Sequence, residues 1–321
     1  MKKQFKKLVI TFFDVLLSPF TLIAAYWFKL IRMYNVGLFE TISTTSKKIF
    51  NFVGVFPLTD HYYEPFMGKS ANVLPIKRNL PGIDFNIENQ LLFLKNFKYQ
   101  DELNEISLLP SNQLNYSFSK GPFRSGDAEI LYNIIRFLKP KKIVEIGCGH
   151  SSLLIQHAIA NTFKTEVNYL CHHICIEPYE AGYLSKLDVE FIKEPVEQID
   201  LNLFESLEDG DILFIDSSHI IRPGGDVLFE YLEILPRLKK GVYVHIHDIF
   251  SPNNYLKEWV EDGVNFWNEQ YLLEAFLSCN DSYKIVCSVN LLKNSYYSNL
   301  KEACPMLSEE REPGSFWIQR V

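Results

Sequence analysis

Five polar side chains stand where buried apolar runs of this chain end: Glu145, Glu177, Asp216, His247 and Asp248. One such residue is ordinary, but four runs finishing this way argue for a site. The first run leads directly into Gly147-Cys148-Gly149-His150-Ser151-Ser152. Two glycines one residue apart let the backbone turn tightly and approach a ligand closely. The third glycine of a dinucleotide fingerprint is missing, and Ser152 stands in its place. Glu177, ending the second run, can accept hydrogen bonds from both hydroxyls of a ribose. Glu145, just before the first glycine, would repel a pyrophosphate but suits a positive amino group. The pattern favours an adenosyl sulfonium, S-adenosyl-L-methionine, over NAD. Asp216-x-x-His219 and His247-Asp248 close two neighbouring strands, the fourth and fifth in chain order.

These side chains need elements to hold them. Ser125-Gly126-Asp127-Ala128-Glu129 opens a helix with acids in its first turn, and Pro140 ends it. Apolar runs then alternate with helical patterns. The strands are Lys142 to Ile146, Ile174 to Ile176, Val189 to Ile192, Asp211 to Ile215 and Val242 to Ile246. Residues 225–238 read as one helix. Strand and helix in turn imply a parallel sheet covered on both faces, with the strand C-termini on one rim. Ligands bind at that rim. Tyr283 to Cys287 and Ser315 to Ile318 add two late strands as an antiparallel edge pair. The expected fold is α/β: a doubly wound, mostly parallel, seven-stranded Rossmann-like sheet with an N-terminal helical and irregular extension.

Composition sets outer limits. The chain has 321 residues, 47% hydrophobic and 22% charged, which excludes a disordered or low-complexity protein. Its 25 Phe, 17 Tyr and 4 Trp can fill a large core. A net charge of −7 argues against a nucleic-acid partner. Six cysteines without a C-x-x-C pair are too sparse for a disulfide framework or a structural zinc site. Cys171 and Cys175 with His172 and His173 between them could suggest a metal knuckle, but a strand points these residues to alternate faces. Reduced thiols and a cytoplasmic location follow.

Three regions emerge: residues 1–50, 51–120 and 121–321. In the first, Lys2, Lys3, Lys6 and Lys7 precede 21 residues that carry a single charge, Asp14. That length would just cross a bilayer. Asp14 is expensive at depth, and Ser18-Pro19 is expected to break the helix. The reading preferred is a broken helix at the inner face of the membrane, making contact through residues 1–32. A hydrophobic helical pair packed on the protein and a true span are the alternatives. Residues 51–120 read as an irregular substrate-side extension, kept from long helices by Pro75, Pro81 and Pro110. Within it, Asp60-His61-Tyr62-Tyr63-Glu64-Pro65 could line a substrate mouth or form a packed loop.

Val144-Glu145-Ile146-Gly147-Cys148-Gly149 resembles motif I of class I S-adenosylmethionine-dependent methyltransferases. The span from Arg124 to Val321 is similar to the bacterial group that includes macrocin-type O-methyltransferases and cephalosporin-hydroxylase-like proteins. The pieces that carry this are Phe123 to Asp127, Gly147 to Ser152, Phe214 to His219, Pro223 to Asp226, His245 to Phe250 and Phe266 to Tyr271. The resemblance implies methyl transfer to a hydroxyl of a small-molecule or glycan-like acceptor. It implies Asp216 and Asp248 as ligands of a divalent metal, with His219 as general base. His247 stands where these enzymes often carry an acid, which weakens Mg²⁺ and admits Mn²⁺, Fe²⁺ or no metal. Glu145, Gly147, Gly149, Ser152 and Glu177 would hold the cofactor. Arg124 and Asp127 could close over its methionine carboxylate, and His150 could help. Trp267, Glu269 and Gln270 fall where acceptor contacts are usual, or on a plain amphipathic helix. Two rival functions remain: a membrane-associated binding protein without turnover, and a hydroxylase or oxidoreductase on the same framework.

Overall fold

The computed structural model describes residues 2–33, 44–60, 64–67, 77–110, 114–118, 121–179, 182, 184–261 and 265–321. His61, Tyr62, Tyr63 and Pro75 lie outside the described residues. In chain order the first helices are α1 (Lys2–Met33), α2 (Thr44–Val53), α3 (Ile87–Leu94), α4 (Gln100–Ser107), α5 (Asp127–Leu138) and α6 (His150–Thr165). After them come α7 (Asn202–Glu205), α8 (Asp226–Phe229), α9 (Lys257–Glu261), α10 (Glu269–Leu277), α11 (Val289–Ser295) and α12 (Tyr297–Ala303). The strands are β1 (Lys142–Ile146), β2 (His172–Ile176), β3 (Glu190–Ile192), β4 (Ile212–Ile215), β5 (Tyr243–Ile246), β6 (Tyr283–Ser288) and β7 (Phe316–Arg320). Contacts divide the chain into Met1–Leu74 with Lys257–Phe266, and Pro75–Leu256 with Trp267–Val321.

In the first unit α1 runs unbroken through Pro19, contrary to the expected break. Proline removes one donor and frees the carbonyl four residues back. Here Ser18 Oγ donates to that carbonyl, Val15 O, at 2.9 Å. Helix α1 carries Phe5, Leu8, Phe12, Leu16, Phe20 and Ile23 exposed along one face, while Lys7, Thr11, Asp14 and Ser18 recur at helical spacing on the opposite one. Its C-terminal end meets α2, where Phe28 packs edge-on to Phe50 at 5.1 Å. Arg32 pairs with Glu64 and lies over the Phe56 ring.

The second unit is the sheet, in the order β3-β2-β1-β4-β5-β7-β6. Strands β1 to β5 pair in parallel. Strand β7 runs against both β5 and β6, so the late antiparallel pair closes one edge as expected. Alternation sorts each strand's side chains onto two faces. Ile143, Ile212 and Phe214 enter the core beneath α5, α6, α11 and α12. Val144, Leu213, Ile215 and Val244 enter the opposite core with Val227, Ile234 and Leu273. Each such side chain contributes about 1.5–3 kcal/mol when fully buried.

Two expectations change. The stretch read as one helix over 225–238 is α8, a π-helical turn at Glu230–Ile234, and a 3₁₀ turn at Leu235–Arg237. The expected irregular region also contains α3 and α4, which join the sheet unit. Leu94, Phe97, Leu103 and Ile106 sit in its core. Arg136 of α5 grips Glu102 of α4 through two N–H···O bonds of 2.7 and 2.8 Å, a bidentate pair.

Asp127, at the start of α5, ties the C-terminal segment to the sheet. Its Oδ1 accepts from Gly314 N at 2.8 Å and Ser315 N at 2.7 Å, and Arg311 lies 3.0 Å from Oδ2. Asp127→Ala would strand two buried N–H groups, each worth about 1–3 kcal/mol. The expected result is a loss of about 2 kcal/mol or more in urea unfolding. A midpoint equal to wild type would show that this anchor is dispensable.

Candidate functional site

The strand order reverses between β1 and β4, which makes their C-terminal ends the switch point of the sheet. The backbone pairing continues past the strands: Asp216 N donates to Ile146 O at 2.9 Å and His247 N to Ile215 O at 3.0 Å. Gly147 adopts φ +80°, and a Cβ there would lie 1.7 Å from Asp216 O. Only glycine lets the loop after β1 pass so close to the end of β4.

A cavity of about 390 Å³ opens at this point. Ile146, Gly147, Glu177, Asp216, Ser217 and Ser218 line it, together with Tyr179, Glu197, Arg222 and Asp226. The structure thus brings together Gly147, Glu177 and Asp216 as expected. Glu177 Oε1 accepts from Tyr179 N at 2.8 Å. Burial pushes its carboxyl up, and Asp216 and Glu145 add to this against the pull of nearby backbone N–H groups. Asp226 receives Ser218 N at 2.9 Å and Ser218 Oγ at 2.7 Å, which fixes the loop after β4. Glu197 and Arg222 belong to no motif legible in the sequence. Asp226 stood in the Pro-Gly-Gly-Asp segment without an assigned role.

Glu145 is placed differently from expectation. It is fully buried below the rim, with donors on both carboxylate oxygens. Ser151 Oγ reaches Oε1 at 2.5 Å, Ser152 Oγ reaches Oε2 at 2.8 Å, and His173 Nε2 lies 2.9 Å from Oε2. Glu145 therefore cannot meet a ligand's amino group. It braces the first turn of α6, and Ser152 serves the same brace while accepting from Gly149 N at 3.0 Å. The orientation of His173 is set from behind. Gln156 Nε2 donates to Asp188 O at 3.1 Å and also faces His173 Nδ1 at 3.0 Å, so Nδ1 accepts and Nε2 carries the proton toward Glu145.

Arg124 and Asp127 do not act as a pair. Arg124 is exposed, with Nε donating to Gly121 O at 2.8 Å, while Asp127 is buried on its C-terminal anchor. His150 turns to Phe123 O, 3.1 Å away, and does not line the cavity. Gln270 is buried, accepting from Phe250 N and donating to Asn253 O. It supports the loop after β5 and offers nothing to an acceptor.

Beside the cavity lies a second cluster that shares Asp216. Ligand-type atoms of Asp216, His219 and Asp248 lie within 4.8 Å of one another. His219 Nε2 is 3.4 Å from Asp216 Oδ1 and 3.5 Å from Asp248 Oδ2. His247 Nδ1 approaches from another side, 3.3 Å from Asp216 Oδ1 and 3.5 Å from Asp248 Oδ1. It is buried, and among the described residues these contacts are ion pairs without hydrogen-bond geometry. Burial favours neutral imidazole, yet the bonds to Asp216 and Glu269 push His219 up to about 10. His247 is likewise held well above its usual range, against burial, by Asp248 and Asp216. Burial alone would raise Asp216, but the two imidazoles hold it far below the usual carboxylate range. Asp248 is raised, with burial outweighing both imidazoles. Two carboxylates converging here draw positive charge, which the two imidazoles supply. Trp267 packs on the His219 ring at 4.7 Å.

Residues 144–249 match a family model described as a methyltransferase domain. A protein of Archaeoglobus fulgidus with no described function is 29% identical over 177 residues, 49% of this chain and 76% of its own length. Two solved structures also align. The O-methyltransferase TomG from Streptomyces achromogenes, in complex with SAM, is 12% identical, covering 71% of this chain and 98% of its own, at a TM-score of 0.40. The O-methyltransferase from Bacillus cereus, in complex with SAH, is 11% identical, covering 71% of this chain and all of its own, at a TM-score of 0.39.

Gly147→Ala tests the close approach at the rim. A left-handed alanine alone costs about 1–2 kcal/mol, and the overlap with Asp216 O adds to it. Thermal unfolding should shift down by several degrees, about 2–4 °C per kcal/mol for larger domains. An unchanged melt would mean that the loop after β1 has room to spare.

Proposed function

We propose that this chain, which carries a class I S-adenosylmethionine-dependent methyltransferase domain, methylates a hydroxyl of a small-molecule or glycan-like acceptor with the help of a divalent cation. The supporting observation is the double role of Asp216, which lines the 390 Å³ cavity and also belongs to the cluster with Asp248. The ligand cavity and the cation cluster thus meet at one side chain, as in-line transfer between two bound partners requires. S-adenosylmethionine would supply the methyl group, and a divalent cation would lower the proton affinity of the acceptor hydroxyl.

The rest falls to the chain's own residues. Glu177 accepts hydrogen bonds from the ribose hydroxyls, and Gly147 lets the backbone close on the nucleoside. Asp216 and Asp248 hold the cation, with the buried Nδ1 of His247 facing both. The donor set fits such an ion: two carboxylates that repel one another and a buried imidazole nitrogen that faces both without hydrogen-bonding to either. Asp216 also fixes the distance between the two halves of the site, because its backbone is pinned under Gly147.

In titration calorimetry the full chain should take up one equivalent of S-adenosylmethionine. Glu177→Ala should weaken that uptake about ten-fold or more, the worth of a charged hydrogen bond. Asp216→Ala should abolish transfer of labelled methyl to a panel of activated sugars while leaving most cofactor binding. Turnover that survives Asp216→Ala would end the metal-assisted scheme.

We also propose that α1 contacts the inner face of the membrane. An 18-residue window within Phe5–Arg32 has mean hydropathy 2.1 and no residue buried in the protein. Lys6 and Lys7 at one end and Lys29 at the other suit anionic headgroups. The full chain should float with phosphatidylglycerol-containing vesicles, and Phe12→Lys with Leu16→Lys should abolish this. A wild-type chain that stays at the bottom of the gradient would remove the membrane from the account.

A further inference from the structure

We propose that His219 is a nitrogen ligand of the cation site, oriented by Glu269, and that the site therefore prefers an imidazole-binding transition metal to Mg²⁺. This rests on the metal-assisted reading above, and it replaces the general-base role expected for His219.

The ring of His219 is fixed at both ends. Nδ1 lies 2.8 Å from Glu269 Oε2, and Glu269 is itself fully buried. The other oxygen of Glu269 accepts from Tyr231 OH at 3.1 Å. A proton on Nδ1 then belongs to the bond with Glu269, and a cation that displaces the proton on Nε2 finds a lone pair there. That lone pair points between Asp216 and Asp248, 3.4 and 3.5 Å away. These spacings match the edges between ligands that share one small ion, with bonds of about 2.0–2.2 Å. A carboxylate behind a histidine that faces acidic ligands is the usual outer support of a metal-binding imidazole.

Two further features agree. His219 and Asp248 both adopt left-handed backbone, at φ 60° and 55°. Non-glycine residues take that conformation uncommonly, Asp and His more readily than most, and such positions gather at functional sites. Here they turn both side chains inward to one point. His219 is also only 5% exposed. A general base must reach the acceptor hydroxyl, whereas a ligand has only to reach the ion. With His219 included, the donors become two carboxylates and an imidazole. Mg²⁺ demands oxygen ligands, while Co²⁺, Fe²⁺ and Zn²⁺ accept imidazole readily.

The test uses the full chain, with Co²⁺ and Mg²⁺ as probes in titration calorimetry. Wild type should bind Co²⁺ at least about 100-fold more tightly than Mg²⁺. His219→Ala should lower Co²⁺ affinity by about 100-fold and shift the visible d–d bands, and Glu269→Gln should lower it by about 10- to 100-fold. Circular dichroism checks that each variant folds. Should either fail, proton NMR of the Co²⁺-loaded wild type provides an independent reading. An exchangeable, strongly shifted imidazole N–H belonging to His219 is expected there, protected by Glu269. Co²⁺ bound with unchanged affinity and spectrum after His219→Ala, or no such resonance in wild type, would overturn the assignment. Cofactor uptake is measured separately on the same samples. Its absence would sink the methyl-transfer reading without touching the ligand assignment.

Discussion

The site depends on one close backbone contact, Gly147 against the carbonyl of Asp216. Adjacent parallel strands whose order reverses leave a gap beyond their C-terminal ends. The width of that gap depends on how near the first loop can pass to the next strand. With no Cβ at residue 147, the loop after β1 lies directly on the end of β4. The nucleoside-sized cavity and the carboxylate of Asp216 then share a wall. Moving the loop outward by even a side chain's thickness would separate the two.

The charges follow from that proximity. Asp216 and Asp248 end adjacent strands, so both carboxylates project at the same rim and repel each other. Two imidazoles supply positive charge around them, and Glu269 and Asp127 stand behind those imidazoles in turn. The result is an alternating set of acids and bases, deep enough for each group to shift its neighbours. A cation at the centre would take over the role of the imidazole protons, so metal uptake and proton release would be linked.

Much of this was legible in the sequence, because period-two apolar runs and glycine-bearing turns are local signals. The seven strands, the reversed final strand and the rim positions of Glu177, Asp216 and Asp248 all follow from such runs. What the sequence hid depends on packing. Glu145 lies in the same local pattern as a ligand-facing acid, yet Ser151, Ser152 and His173 claim its oxygens from three directions. The break expected at Pro19 failed because one hydroxyl, that of Ser18, satisfies the freed carbonyl. The helix expected over 225–238 is interrupted by a π turn, which no propensity scale marks. Helices α3 and α4 escaped notice because each spans only 8 residues, too few for a clear periodicity.

The contrast between Glu145 and Glu269 shows what decides the role of a buried acid. Both are fully buried, and both accept from a histidine and from a hydroxyl. Glu145 meets Nε2 of His173, whose Nδ1 is committed to Gln156, so both ring nitrogens are spent inside the protein. Glu269 meets Nδ1 of His219 and leaves Nε2 facing two carboxylates. The first arrangement closes on itself and stiffens the loop after β1. The second keeps one nitrogen open toward the acids at the rim. Burial and hydrogen bonding alone do not separate these cases; what does is the ring nitrogen left over and the direction in which it points.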